Sequence, residues 1–496
     1  MRVNLLYPDR ELVRGTPTGW NPELPRDIGL DTVLDHMAQG DKFVRQAAFD
    51  VISRPSMDVE TILHRQGALR DCLENLEVVR RIYRITREYL ERKAQQWLCL
   101  SPRHASPSSV LSGSQRLLEA SLDLLEELRR LAREEAHRFP SAAFGAFFDS
   151  IGRELDDDYM GQLRHHVKAL GLREGVTISA RLGMGNEGTG YALCEEAPRA
   201  GGLLQRALGT RAAGFSFDPR DEGSFNALGD IRDRAVLRAA RVATQGAGHV
   251  EGFFTLLRFE LAFYLGCANL HRALTEMGLP VTFPIPDPMG SGGLSCRDLY
   301  HVSMALENRG RAVGNRVRWA GSPLMVITGV NRGGKTTFLR GLGLAQLMMQ
   351  AGMFVGASHM EAELASGIFS HFRQEEDASM RSGKFEEELT RLEAVVDALR
   401  PGGLLLLNES LSATNEREGS AVAQEILKGL LDRGIRVAYV THLHQLVASL
   451  ERHMGDRVLF LSPERLEDGT RTFRLMEGPP RGTGFGVDLY RRIMGS

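Results

Sequence analysis

Apolar residues recur three and four positions apart from Asp27 to about Leu100. Val33, Leu34 and Met37, then Phe43, Val44, Ala47 and Ala48, trace one buried helix face. Pro55 breaks this run, and Ser56 or Asp58 offers an oxygen to cap a further helix through Ile62, Leu69, Leu73, Leu76 and Val79. Ser101 to Ser114, rich in Ser and Pro, predicts a loop. Leu117 to Phe139, dense in Leu, Glu and Arg, predicts a long amphipathic arm or bundle helix. The texture then changes to β-prone alternation over Gly175–Leu182, answered by Tyr191–Cys194 across a glycine-rich turn, which predicts a hairpin. Helical period returns from Ala227 to about Met277. Four prolines between Pro280 and Pro288 predict a linker or extended crossing, and from Pro323 onward strands and helices alternate as in an α/β nucleotide-binding domain.

The expected architecture is therefore multidomain. A terminal segment, 1–26, precedes a mostly α-helical region, 27–320, with an arm and β-hairpin at about 115–226, and an α/β domain fills 321–496. A chain of 496 residues exceeds what one core usually serves. Hydrophobic residues at 43% and charged residues at 25% are ordinary globular values, and no unbroken apolar run approaches a membrane span. The N-terminus meets Pro8 and Asp9 before a signal-peptide core forms, so a cytoplasmic protein is expected. Cys72, Cys99, Cys194, Cys267 and Cys296 lie far apart with no CxxC pair, which predicts buried free thiols. The net charge of −2 gives no overall basic field, so any nucleic-acid contact must be local.

Composition sharpens one motif. Lys occurs only at 42, 93, 168, 335, 384 and 428, so Lys335 inside a glycine loop is not compositional drift. The apolar run Leu324–Thr328 leads into Gly329-Val330-Asn331-Arg332-Gly333-Gly334-Lys335-Thr336, and a helical pattern begins at Thr337. This is strand, P-loop, helix. Glycines let backbone N–H groups turn inward around phosphates, the helix N-terminus adds positive potential, Lys335 reaches the β- and γ-phosphates, and the Thr336 hydroxyl is placed for Mg²⁺. ATP and Mg²⁺ are the expected cofactors. A second apolar strand, Gly403–Leu407, ends in Asn408-Glu409, the form of a Walker B element. Asn408 offers Mg²⁺ a neutral carbonyl oxygen where Asp is usual, while Glu409 can orient or deprotonate the attacking water. A third strand, Ile435–Val440, ends in Thr441-His442-Leu443-His444, placing His442 to sense the γ-phosphate. An H-x-H metal site lacks further ligands at suitable spacing, and His444 reads as structural.

In order, GxNxxGK[ST]T-x-LR, Ala351–Ala357, LLLLNE and Thr441–Leu446 resemble the ATPase domain of the MutS family, and Arg481–Val487 is similar to the glycine-rich stretch closing that domain. Leu30–Leu34 and Arg54–Gln66 resemble its helical core and lever. The resemblance implies an ABC-type P-loop ATPase following a core/lever region. Gly329, Asn331, Gly333, Gly334, Lys335, Thr336 and Thr337 would bind nucleotide, Thr336 and Asn408 would hold Mg²⁺, and Lys335, Glu409 and His442 would act in hydrolysis. It also implies a homodimer on DNA, each site completed by the partner's copy of Asp377–Glu388, with Ser379 or Ser382 as the trans serine. Ser410–Gly419 keeps the family's final acidic-Gly pair but not the glycine-rich run before it, which puts signalling between the two sites in question. With lever-like helices beginning near residue 27 and the chain ending at Ser496, neither a mismatch-reading domain nor the family's helical dimerisation extension is expected.

Arg181, Arg199, Arg206 and Arg211 are candidate phosphate contacts, although solvated surface arginines read the same way. Leu111–Gln115 mimics an ABC signature but lies upstream of the P-loop. Gly183–Gly188 fits G-x-G-x-x-G, yet a strand-like run follows it, so a hairpin turn explains it better. Two functions remain in view: an ATP-driven DNA clamp, or an ATP-responsive regulatory module with weak hydrolysis and no direct DNA contact.

Overall fold

The computed structural model describes residues 1–10, 21–97, 106–172, 177–194, 221–374, 384–466 and 470–479. Among the described residues the chain is mostly helical, with three separate sheets, and it divides into two compact units that are not consecutive in sequence. One contains residues 77–138 and 145–258, with the first three residues. The other contains 4–76, 139–144 and 259–496.

Helices α1 (Leu24–Ile28), α2 (Leu30–Ala38), α3 (Lys42–Ile52) and α4 (Val59–Glu74) belong to the second unit. Of the two capping residues offered by the sequence, Asp58 is the one used: its carboxylate accepts from Glu60 N and Thr61 N. The run through Leu76 and Val79 is two helices, because Asn75 closes α4 before α5 (Leu76–Trp97) begins.

The first unit is built on α5, α6 (Pro107–Glu135), α7 (Ala142–Glu154), α8 (Asp157–Leu170) and the N-terminal part of the 55-residue α9 (Glu222–Glu276). Tyr89 stacks on Phe254 with centroids 4.5 Å apart, and Leu111 packs among Val236, Ala240 and Ala243. Residues 107–114, expected as loop, are helical. Ser106 caps α6 by accepting from Ser109 N, and Pro107 sits in the first turn, where its missing N–H costs nothing. The Leu111–Gln115 sequence therefore lies within a helix. Strands β1 (Ile178–Leu182) and β2 (Gly188–Leu193) form the expected antiparallel hairpin, with Gly183–Gly188 at its turn. Arg181 is exposed on β1, whereas Arg199, Arg206 and Arg211 lie outside the described residues. Cys194, just past β2, is exposed; among the described residues Cys72, Cys267 and Cys296 are the buried thiols expected, and Cys99 lies outside them. A two-stranded hairpin has too little core to cover it. One window of α9 is long and apolar enough to cross a membrane by composition, but 78% of it is buried within the protein, as in a core helix.

In the second unit, the prolines after α9 cross in extended form: Thr282 bridges Val355, and β3 (Ile285–Asp287) pairs with β7 (His359–Glu363). With β4 (Gly293–Leu299) and β5 (Asn315–Ala320) these make a four-stranded sheet, ordered β3-β7-β4-β5, and α10 (Val302–Glu307) lies between β4 and β5 in sequence. The larger sheet runs β12-β11-β6-β10-β9-β8, from β6 (Leu324–Ile327), β8 (Ile368–Phe372), β9 (Leu404–Asn408), β10 (Arg436–Val440), β11 (Val458–Arg465) and β12 (Arg471–Glu477). All pairs are parallel except β11 with β12. Helices α11 (Lys335–Gln350), α12 (Lys384–Ala398), α13 (Glu416–Asp432) and α14 (His444–Met454) complete it. The unbroken Leu404–Leu407 run follows from burial on both faces. Leu405 and Leu407 join the core containing Leu392, Leu427 and Leu446, while Leu406 abuts Gly343 of α11, where a Cβ would stand 2.3 Å from it.

A buried ion pair links strands of the two sheets. Arg436 Nη1 lies 2.5 Å from Glu363 Oε1, its guanidinium sits 4.4 Å over the Trp319 ring, and Glu363 Oε2 accepts from Gly292 N at 2.9 Å.

Candidate functional site

The C-terminal ends of β6, β10 and β9 are adjacent, because Val440 pairs with both Ile327 and Asn408. That register gathers residues from three distant stretches. Beyond β6, Gly329 and Gly334 adopt φ of 125° and 92°, open to glycine but not to other residues, and Gly334 precedes the first turn of α11. Gly333 is required for space, since a Cβ would stand 2.6 Å from Pro463 Cγ, and a Cβ on Gly334 would meet the Phe473 carbonyl oxygen at 2.9 Å. The β11–β12 hairpin thus lies against the glycine loop. Nothing local to Pro463 or Phe473 signals this contact. Asn331 is exposed in the loop and Thr337 half-buried in the first turn of α11.

Lys335 is buried, and its Nζ donates to the carbonyls of Gly329 at 2.8 Å and Val330 at 2.9 Å. Burial pulls the ammonium down to about 8, with the Glu409 charge opposing. Thr336 Oγ1 donates to Asn408 Oδ1 at 3.0 Å, so two oxygen ligands of the kind Mg²⁺ prefers stand together at the loop. Glu409 takes a positive φ of 53° while its N–H reaches Val440 O at 2.8 Å. His442 Nε2 lies 3.3 Å from Glu409 Oε1, within ion-pair distance but without an aligned hydrogen bond. His442 first, then Lys335 and Arg373, hold the Glu409 carboxyl below its usual range against the effect of burial. His444 is exposed at the start of α14. Ser379, Ser382 and Arg481–Val487 fall outside the described residues.

The backbone after Glu409 is anchored by residues that carry no local sequence signal. Glu388 Oε1 on α12 accepts from Leu411 N at 2.8 Å, and Tyr439 donates its hydroxyl to Ser410 O. Ser410 Oγ donates to His371 O at 2.7 Å and lies 2.8 Å from His371 Nδ1. Arg391 Nη2 is 3.2 Å from His371 Nε2; since arginine only donates, Nε2 accepts and the ring proton sits on Nδ1, toward Ser410. Leu411 itself has φ of 64°, so two non-glycine residues here are held in strained conformations.

Burial, reinforced by Arg391, pushes His371 down to about 4 from 6.5. The unfolded chain takes up this proton below 6.5 and the native state does not until about 4, so the contribution to stability is complete above pH 6.5 and is lost as pH falls. His371→Gln is expected to flatten the pH dependence of urea unfolding across that interval by at most about 3 kcal/mol. An unchanged profile would remove His371 as a source of acid sensitivity.

Two family models match the chain: the MutS2 N-terminal domain over residues 57–277 and MutS domain V over residues 325–478. Among curated relatives, Endonuclease MutS2 of Thermus thermophilus is 32% identical over 170 residues, 34% of this chain and 23% of the relative. Endonuclease MutS2 of Carboxydothermus hydrogenoformans is 34% identical over 161 residues, covering 32% of this chain and 20% of the relative. The DNA mismatch repair protein MutS of Chloroflexus aurantiacus is 33% identical over 147 residues, 29% and 15% of the two chains. The matched stretch thus spans less than a quarter of these relatives' lengths.

Proposed function

The chain belongs to the MutS family, and on that premise we propose that it is an ATP-dependent DNA-binding protein that acts in the cytoplasm as a homodimer in mismatch repair or recombination. The observation that carries this reading is the convergence of Lys335, Thr336, Asn408, Glu409 and His442 at the ends of three adjacent parallel strands.

In the proposed reaction, the N–H groups of residues 329–337 and the start of α11 surround the nucleotide phosphates. Lys335 offers its remaining ammonium donor to the β- and γ-phosphates, and the exposed Phe473 ring beside the loop offers a surface for the base. Thr336 Oγ1 and Asn408 Oδ1 would hold Mg²⁺, which when bound neutralises charge developing on the phosphate oxygens. Glu409, ionised by its neighbours, orients the attacking water and draws on its proton. His442, beside that carboxylate, takes a hydrogen-bonding position toward the γ-phosphate. The partner's copy of Asp377–Glu388 closes each site, so ATP binding tightens a clamp on DNA and hydrolysis releases it. The linear division at residues 27 and 321 belongs to the same proposal.

Asn408 favours a second reading, in which weak hydrolysis serves a regulatory module that touches no DNA. ATP turnover with and without duplex, branched and mismatched DNA separates the two. Stimulation by DNA is expected; a chain that binds ATP but neither shifts any of these DNAs at low salt nor turns over faster with them would refute the clamp. Asn408→Asp should restore an anionic ligand beside Thr336, lowering the Mg²⁺ concentration for half-maximal activity and raising turnover. An unchanged rate would mean that position 408 does not limit catalysis.

A further inference from the structure

The four-stranded sheet carries a charged face that the nucleotide site does not use. Along β5, Val317 and Trp319 point inward while Arg316 and Arg318 are exposed. Register places Ser295 of β4 opposite Arg318, and Arg297 opposite His359 of β7. Arg474 on β12 joins them, because β12 is fixed to the edge of β5 by Leu475 N donating to Asn315 Oδ1 at 2.8 Å and Arg318 N donating to Glu477 Oε1 at 3.1 Å. Together they line an open cleft of about 820 Å³. Two carboxylates share it: Glu477, engaged with that backbone N–H, and Asp298, which accepts from Ser358 Oγ at 2.6 Å. Among the described residues, none of the four arginines is in an ion pair.

We propose that this arginine face, Arg297, Arg316, Arg318 and Arg474, is a contact for the phosphate backbone of nucleic acid on the ATPase unit itself, separate from any contact made by the hairpin. The inference rests on the DNA-binding part of the proposed function. Side chains two apart on a strand stand about 6.6 Å from each other, and neighbouring strands about 4.8 Å, so the guanidinium groups form an array. An array of unpaired cations suits a repeating anion such as a strand with one phosphate per about 3.4 Å of rise. An acidic protein fits less well, because protein interfaces are anchored by buried apolar side chains and the large exposed apolar side chain of this cleft is Met476. With a net charge of −2 over the whole chain, such a local concentration is also where attraction to a polyanion must arise.

The test is the affinity of the full chain for a fluorescent 30-base-pair duplex across a salt series of roughly 50 to 200 mM, the range over which phosphate contacts dominate binding. Arg316→Ala with Arg318→Ala should weaken binding about tenfold or more and reduce the slope of log affinity against log salt by about 0.9 for each phosphate that is no longer neutralised. Arg474→Ala, made separately, should free about one phosphate, and Arg316→Lys with Arg318→Lys should keep the slope. Unaltered nucleotide binding and thermal unfolding show that the variants are folded. If the parent binds DNA and the variants match its affinity and slope, the face is not a DNA contact and the wider function stands. If the variants keep DNA binding but lose binding of polyglutamate, the face belongs to an acidic protein and the proposal is overturned. A parent that binds no DNA at any salt overturns both this proposal and the DNA part of the function.

Discussion

Glu409→Gln is expected to leave ATP bound and to lower its hydrolysis about 10²- to 10⁴-fold, the usual contribution of a positioned general base. The substitution keeps the volume of the side chain and leaves the backbone bond from residue 409 to Val440 O in place. What it removes is the negative charge that His442, Lys335 and Arg373 all favour on the carboxylate. Nucleotide affinity should hold or rise, because an anion near the phosphates has gone and Lys335 is released from one competing attraction. Equilibrium binding of a fluorescent ATP analogue, set beside single-turnover hydrolysis, separates the two effects. Equal turnover in both proteins would mean that the water is activated elsewhere.

The largest expected loss of stability comes from Glu363→Ala. It strands the Arg436 guanidinium in a site where burial already disfavours its charge and Glu363 is the group that offsets this. It also takes away the acceptor for Gly292 N. Removing one member of a buried pair typically costs about 3–5 kcal/mol, much of it from the charge left behind. Glu363→Leu combined with Arg436→Met should cost far less than the single change, since no unpaired ion remains. Urea unfolding of the parent, the single variant and the double variant provides the comparison. A single variant within about 1 kcal/mol of the parent would show that water reaches Arg436 freely.

The parts of the site that can be read from sequence are those in which neighbours along the chain are neighbours in space. Leu324–Ile327 and Leu404–Leu407 announce buried strands by composition alone, and the glycine spacing with Lys335 and Thr336 carries its own chemistry. The hairpin is legible for the same reason, as is its glycine-rich turn. Ser106 and Pro107 mislead because Ser and Pro signal a loop and a helix start alike, and only the hydrogen bond from Ser109 N decides between them. Glu388 with Leu411, His371 with Ser410, and Glu363 with Arg436 are invisible in the sequence. Each is a single pair brought together by tertiary packing, and no periodicity marks it. The same holds for the association of residues 4–76 with 259–496 in one compact unit.

An ammonium group has three N–H donors, and Lys335 spends two of them on carbonyls of its own loop. The side chain is therefore a staple as well as a ligand-binding group, and one donor is left over for a phosphate oxygen without the loop having to open. Truncating it unlatches the turn and removes the ligand contact in a single step. Lys335→Ala will for that reason overstate the worth of the lysine–phosphate contact, and the separate contribution of the staple has to be measured from the nucleotide-free protein, as a loss of loop protection from hydrogen exchange.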